Sequence, residues 1–290
     1  MTKDPKNDRS ARDTHYATLR RAVRDARREK GEIPTPAPGK RASRDGVRPQ
    51  QAQPDQVFLY GLHTVRAALD NPARKLVKLS ATRNALARLG IEEGAETGFP
   101  VEIVSPGEID RVLGSDAIHQ GVMLETRPLP VRRLDALKDS PLLLVLDQVT
   151  DPHNVGAIMR SAVAFDAGAV ITTQRHSPTE SGVLAKSASG ALELIPYIQA
   201  SNLADTLEEL HRLGFYSIGL DSEGPQPLEP TFKGDKIALV LGSEGKGLRQ
   251  KTRETVSALA RLDMPGAIKS LNVSNACAIS LYAAKQYLTK

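Results

Sequence analysis

Five consecutive apolar residues, Ile237-Ala-Leu-Val-Leu241, run into a glycine-rich turn, Gly242-Ser-Glu-Gly-Lys-Gly247. This junction limits the folds open to the chain. An apolar run without alternation predicts a strand covered on both faces, as in a parallel α/β sheet. In such sheets ligands sit beyond the carboxyl ends of the strands. The turn after Leu241 lies at that end, and its glycines let main chain approach a ligand closely. A second apolar segment, Leu259 to Met264, leads into Pro265-Gly-Ala-Ile-Lys-Ser-Leu-Asn-Val-Ser-Asn275 and then into a helix of small residues ending near Leu288. Ser270, Asn272, Ser274 and Asn275 can cap that helix or meet a polar ligand. Two such loops close together in the chain point to one shared pocket; the plain alternative is a pair of ordinary turns rich in Gly, Ser and Asn. Neither loop has the spacing of a P-loop, and no G-x-G-x-x-G follows a strand, which argues against the usual triphosphate and dinucleotide sites.

Residues 141–290 alternate strand and helix patterns. Strands are predicted at Leu142–Asp147, Ala169–Thr173, Leu194–Ile198, Tyr216–Leu220, Ile237–Leu241 and Leu259–Leu262, and helices at Val155–Phe165, Leu203–Leu213 and Ser274–Leu288. Such alternation implies a mostly parallel sheet with helices on both faces. The first of these strands ends in a charged turn, Asp147-Gln-Val-Thr-Asp-Pro-His-Asn-Val-Gly156. A helix starting near Asn154 places Arg160 in its first two turns, so that Asn154 and Arg160 project from the ligand-binding end of the sheet. The alternatives are an N-cap for Asn154 and a solvent-facing helix position for Arg160. His153, after Pro152, is either a general base or a turn residue.

Residues 55–127 read as a small α/β domain, with strands at Val57–Tyr60, Leu76–Ser80, Val101–Val104 and Val122–Glu125 and a helix over Gly61–Leu69. His63 and His119 lack partners at metal-ligand spacing, so no metal site is predicted. His119-Gln120-Gly121, read as exposed, either contacts RNA or caps a strand. Residues 128–140 read as an interdomain linker. Residues 1–54 are polar, with a proline-rich patch at Pro34-Thr-Pro-Ala-Pro38, and offer too little apolar surface to offset ordering entropy. Within them, over Tyr16–Lys30, Leu19, Val23 and Ala26 recur at helical spacing among arginines; the readings are a transient basic helix that orders on RNA or part of a merely disordered extension.

The first 50 residues hold 14 Lys/Arg against 7 Asp/Glu, an excess of +7 in a chain whose net charge is +5. The basic character therefore belongs to the tail, which is suited either to a polyanionic partner or to simple solvation. The single cysteine, Cys277, excludes an internal disulfide and fits a reducing compartment; its apolar helix face predicts a buried structural thiol. No apolar run reaches the ~18 residues of a membrane span and no signal-peptide core opens the chain, so a cytoplasmic protein without membrane contact is expected.

Three segments together are specific. Asp151-Pro-His-Asn-Val-Gly-Ala-Ile-Met-Arg160, Leu239-Val-Leu-Gly-Ser-Glu-Gly-Lys-Gly-Leu248 and Leu262-Asp-Met-Pro-Gly-Ala-Ile-Lys-Ser-Leu-Asn-Val-Ser274 resemble, in order and spacing, the three motifs of the SpoU/TrmH family. These are RNA ribose 2'-O-methyltransferases of the SPOUT superfamily, and the resemblance covers residues 57–290. It implies S-adenosyl-L-methionine as methyl donor, a C-terminal domain with a parallel sheet and a deep trefoil knot, and a preceding small α/β ribosomal-protein-like RNA-binding domain. It matches Gly242, Leu262, Leu271 and Asn272 to cofactor-binding positions, and Asn154, Arg160, Glu244 and Ser270 to catalytic ones. It also implies a homodimer. Within the family, Tyr60-Gly-Leu-His-Thr-Val65, the His119-Gln-Gly121 turn and the two-domain length resemble members that methylate a guanosine ribose in the peptidyl-transferase P-loop of 23S rRNA. A transfer-RNA guanosine and a non-catalytic RNA-binding or ribosome-assembly role are the competing readings. Arg160 is the family's proposed activating residue, but a guanidinium is a poor proton acceptor near neutrality. The preferred roles are therefore Arg160 as a cation facing the developing alkoxide or a phosphate, and Glu244 or water as proton acceptor.

Overall fold

The structure is a computed structural model that describes residues 55–130, 132, 134–137 and 140–290. The basic tail and its arginine-rich Tyr16–Lys30 segment lie outside the described residues. The front part builds a four-stranded sheet from β1 (Val57–Tyr60), β2 (Leu76–Ala81), β3 (Val101–Ile103) and β4 (Val122–Thr126). Its order is β1-β4-β2-β3, antiparallel at β1-β4 and β4-β2 and parallel at β2-β3. Helices α1 (Leu62–Asp70), α2 (Arg83–Arg88) and α3 (Pro106–Leu113) connect the strands.

The larger sheet contains β5 (Leu142–Asp147), β6 (Val170–Thr173), β7 (Tyr197–Ala200), β8 (Tyr216–Leu220), β9 (Gln226–Pro227), β10 (Ile237–Gly242) and β11 (Ala258–Arg261), in the order β7-β6-β5-β10-β8-β11-β9 with every pairing parallel. Its helices are α4 (Pro152–Ala164), α5 (Gly182–Ala188), α6 (Ala191–Leu194), α7 (Leu203–Arg212), α8 (Gln250–Thr255) and α9 (Val273–Leu288).

The unbroken apolar runs follow from burial on two faces. Leu142, Leu144 and Leu146 of β5, with Ile237, Leu239 and Leu241 of β10, join a core completed by Val155, Ile158 and Met159 of α4 and Cys277, Leu281 and Ala284 of α9. The alternate residues Leu143, Val145, Ala238 and Val240 enter a second core with Leu203, Leu207 and Leu210 of α7. Each such leucine or valine contributes about 1.5–3 kcal/mol by leaving water. Helix α7 shows the local logic: Asn202 caps it by accepting from the Ala204 N–H at 3.1 Å. Leu203, Leu207 and Leu210 then recur every three to four residues on the buried side.

The first core also takes in Leu59, Leu79 and Leu124 of the front sheet, so the two sheets share one apolar cluster. Polar contacts cross the same seam. The Thr64 hydroxyl donates to the Ala185 carbonyl at 3.2 Å, and the Lys186 ammonium donates to Gln120 Oε1 at 3.0 Å.

Several elements differ from the sequence reading. The stretch Leu194–Ile198 is not one strand: α6 runs to Leu194 and β7 begins at Tyr197. Pro196, which lacks an N–H, separates them. Helices α5 and α8 and strand β9 were not expected. The described part of 128–140 is packed rather than loose: the Leu129 N–H reaches Glu180 Oε2 at 2.8 Å, and a 3₁₀ turn over Leu134–Leu137 buries Leu137 in the second core. His119 is not exposed. Its side chain is 11% accessible, Nε2 lies 3.2 Å from Asp110, and Nδ1 accepts the Gly121 N–H at 3.0 Å, so the ring braces the entry to β4.

Candidate active site

Strands β8, β10 and β11 are adjacent, and the loops leaving their carboxyl ends enclose a cavity of about 310 Å³. Gly242, Ser243 and Glu244 line it after β10, Asp221 and Ser222 after β8, and Leu262, Met264, Ser270 and Leu271 after β11. The glycine-rich loop folds back on its own base. Ser243 and Gly247 exchange main-chain hydrogen bonds, Ser243 N–H to Gly247 O at 3.1 Å and Gly247 N–H to Ser243 O at 2.9 Å. A Cβ on Gly242 would lie 2.1 Å from the Gly247 carbonyl carbon, so only glycine closes this loop.

The third loop differs. Main-chain N–H groups between Asp263 and Asn272 have no partner among the described residues. The cavity therefore combines apolar walls (Leu241, Leu262, Leu271) with residues Met264, Lys269, Ser270 and Leu271 of a loop whose main-chain N–H groups are unpaired among the described residues, a lining suited to a heteroaromatic ring with acceptor nitrogens.

Beside the cavity the three sequence motifs converge on one hydrogen-bond network. Helix α4 is capped by Asp151, whose carboxylate accepts from the His153 N–H at 2.9 Å, and Pro152 occupies its first position. Asn154 therefore stands in the first turn, facing the glycine-rich loop. Gly156 sets the depth of that turn, because a Cβ there would lie 2.5 Å from Ser187 Cβ and 2.8 Å from the Ala188 nitrogen of α5. Glu244 Oε1 accepts from Asn154 Nδ2 at 3.1 Å, Asn272 Nδ2 at 2.7 Å and the Val273 N–H at 3.3 Å. Asn272 Nδ2 also donates to Asn154 Oδ1 at 3.0 Å.

Asn272 is the N-cap of α9. Its Oδ1 accepts from the Ser274 N–H at 2.9 Å and the Ser274 hydroxyl at 2.6 Å. That acceptor role fixes the amide orientation and so turns Nδ2 toward Glu244. Three donors thus hold one carboxylate oxygen, while Oε2 has no partner among the described residues.

Of the eight residues singled out from sequence, Gly242, Leu262 and Leu271 line the cavity, as do Ser270 and Glu244. Asn154 and Asn272 meet Glu244 at its edge, so the Asn272 side chain joins the polar network rather than the cavity wall. Arg160 is displaced from its expected place. Asp151, not Asn154, is the cap, so the helix begins at Pro152 and Arg160 falls in its third turn. It lies about 9 Å further along the axis than Asn154. Arg160 is exposed and touches neither cavity nor network within this chain. His153 is exposed in the first turn, with Nδ1 3.0 Å from the Ser187 hydroxyl.

The sequence reading missed Asp221, Met264 and Lys269 as cavity residues. Asp221 directly follows an apolar strand, which was the available signal. Cys277 is fully buried, and burial pushes its thiol pKa up. Among the described residues no group of three His, Cys, Asp or Glu side chains comes together to hold a metal ion, and no helix is long and apolar enough to cross a membrane.

Residues 141–282 match the model of the SpoU rRNA methylase family, and residues 58–131 match that of the RNA 2'-O ribose methyltransferase substrate-binding domain. The chain belongs to the SpoU methylase family. It is 41% identical over 235 residues to the 23S rRNA (guanosine-2'-O-)-methyltransferase RlmB of Ralstonia nicotianae, covering 78% of this chain and 94% of the relative. The RlmB of Pseudomonas putida is 38% identical over 237 residues, with coverages of 78% and 94%. The fold of this SpoU chain is similar to that of the SpoU methyltransferase AviRb from Streptomyces viridochromogenes, solved in complex with AdoMet. The TM-score is 0.69 at 19% identity, over 81% of this chain and 91% of the other.

Proposed function

We propose that this SpoU methyltransferase transfers the methyl group of S-adenosyl-L-methionine to the ribose 2'-hydroxyl of a guanosine in 23S rRNA. The observation that carries the reading is the meeting of Glu244, on the glycine-rich loop, with Asn154 of the first turn of α4 and Asn272 at the start of α9, beside a cavity with apolar walls. The names of the two RlmB relatives supply the substrate class. The peptidyl-transferase P-loop is the proposed target region, and the front sheet the RNA-binding part.

The cavity residues fit the cofactor chemically. Gly242, Leu262 and Leu271 would hold its adenosine part, and the unpaired N–H groups of the third loop could donate to its ring nitrogens. When bound, the cofactor supplies an electrophilic methyl on a sulfonium. The protein aligns the ribose oxygen with that methyl, and alignment supplies much of the acceleration. Asn154, Asn272 and the Val273 N–H fix Glu244 by one oxygen, leaving Oε2 to take the hydroxyl proton. Ser270 lies on the cavity wall, where its hydroxyl can orient the ribose.

Arg160 acts as the cation that meets the developing alkoxide or an adjacent phosphate. Its distance from Glu244 within one chain supports a site completed by a second copy, hence a homodimer. The exposed apolar residues Ile279 and Tyr282 of α9 provide surface for such an isologous contact. A trefoil knot is part of the same reading. Strand β11 lies beyond β8, yet the following α9 returns to pack against α4 and β10. A cytoplasmic location follows from an rRNA substrate.

The test is tritiated methyl transfer to unmodified 23S rRNA, with transfer RNA alongside, for wild type and Arg160→Ala. Label in 23S rRNA that is lost in the variant is the expected result. Label confined to transfer RNA overturns the substrate, and no label with no cofactor binding overturns the activity.

A further inference from the structure

The glycine-rich loop leaves and re-enters the fold at a single side chain. Gly242, where the loop begins, pairs in register with Asp147 at the carboxyl end of β5. Arg249, where the loop ends, is held by the same residue: its N–H donates to Asp147 Oδ2 at 3.0 Å and its Nε to Oδ1 at 2.6 Å. Asp147 is completely buried, whereas the Arg249 side chain is 42% exposed.

Arg249 is also the N-cap residue of α8 and has no side-chain cap of its own, so the Asp147 carboxylate sits at the positive end of that helix. One turn later Arg253 pairs with Asp221 at the end of β8. The second Asp221 oxygen accepts from the Glu223 N–H at 2.9 Å. Strands β5 and β8 flank β10. The loop that carries Glu244 is therefore straddled by two low-exposure carboxylates, each clasping an arginine of the element that follows it.

We propose that Asp147 with Arg249, and Asp221 with Arg253, are positioning pairs that hold the glycine-rich loop and so set Glu244 against Asn154 and Asn272. This deepens the proposed function and rests on it for the role of Glu244. Loop residues between two fixed ends have little conformational freedom to lose when ligand binds, which favours affinity. Releasing one end restores that freedom. It also lets Glu244 leave a network whose other members stand at the start of α4 and the start of α9.

Substitution effects should be asymmetric. Asp147→Asn keeps a side-chain acceptor for the Arg249 N–H but loses the charge pair, and the freed guanidinium can reach water. Arg249→Ala strands a buried carboxylate and threatens the fold itself.

The experiment uses the full chain as wild type, Asp147→Asn, Arg249→Lys and Arg249→Gln. It reads amide hydrogen exchange over 243–249, S-adenosylhomocysteine affinity by calorimetry, and kcat separately from KM for RNA. In Asp147→Asn, exchange over 243–249 rises about tenfold and S-adenosylhomocysteine binds about tenfold more weakly, as expected for loss of one charge-assisted hydrogen bond. Exchange in β6 stays as in wild type, kcat falls, and KM for RNA holds. Arg249→Lys recovers part of the protection and Arg249→Gln recovers none; these two decide the matter should Asp147→Asn fail to fold. Unchanged exchange over 243–249 in the folded variants overturns the inference, as does a fall in melting temperature with unchanged affinity and kcat. A wild type that fails to bind S-adenosylhomocysteine overturns the proposed function instead, and the exchange data still decide whether the pairs hold the loop.

Discussion

Replacing Arg74 by alanine should cost as much stability as truncating a fully buried apolar residue at the seam between the two sheets. Its side chain is 0% exposed and pairs with Glu193, 1% exposed, and Glu180, 12% exposed. Nε lies 3.2 Å from Glu193 Oε2, and Nη1 also donates to the Arg127 carbonyl at 3.0 Å. Asn71 Nδ2 reaches the same Glu193 oxygen at 2.7 Å, the only other side-chain donor to that carboxylate among the described residues. Truncation leaves two low-exposure carboxylates facing a void. Breaking a buried pair by removing one partner costs about 3–5 kcal/mol. For a chain of this size each kcal/mol moves the melting temperature by roughly 2–4 °C, so a fall of roughly 6–20 °C is expected. Scanning calorimetry and urea unfolding measure it. Removing the whole triad in Arg74→Met/Glu180→Leu/Glu193→Leu should recover most of the loss, because desolvation of the intact triad offsets much of its attraction. An Arg74→Ala protein within about 1 kcal/mol of wild type would refute the reasoning, since that is the range of a solvent-exposed pair.

Three further outcomes follow from the site. Gly242→Ala should lose S-adenosylhomocysteine binding in calorimetry while keeping most of its helical circular dichroism, because the added Cβ meets the Gly247 main chain and not the core. Asn272→Ala should lower methyl transfer by about 10²-fold, from the freed Glu244, and stability by about 1 kcal/mol, from the lost cap of α9. Cys277 should resist a thiol-specific disulfide reagent at pH 8 until the chain is unfolded in guanidinium. Its thiol is raised by burial from an ordinary value of 9.0, so its share of stability is full below that pH and lost as the pH rises beyond it. Titrating the urea midpoint of Cys277→Ala against wild type should show the alkaline slope reduced.

The parts of the fold that were readable are those in which one physical demand dominates. Strands β5 and β10 feed two cores through alternate residues, which leaves unbroken apolar runs of strand length. Helix α7 was readable as the helix Leu203–Leu213 within the strand–helix alternation, and the structure adds its Asn202 cap. Helix α5 was not, because its small residues are chosen to let α4 and the front sheet come close, and small residues carry little periodic signal. Helix α8 is six residues of polar composition, held by arginine pairs to distant strands, and such support is invisible in local sequence. Arg160 was misplaced because Asp151-Pro152 and Asn154 are both plausible helix starts, and only the cap geometry decides between them. The meeting of Asn272 with Asn154 and Glu244 depends on three segments far apart in the chain, so motif resemblance could bring these residues together while spacing alone could not.

The most direct test of the central claim is to locate the modified ribose. Unmodified 23S rRNA is incubated with the wild-type chain and S-adenosyl-L-methionine, then mapped by partial alkaline hydrolysis, which spares a phosphodiester whose 2'-oxygen carries a methyl group. One protected position, after a guanosine, that is absent with Arg160→Ala is the predicted result. Methyl label recovered on a base, with the alkaline ladder intact at every position, would contradict the assignment of ribose chemistry to this site.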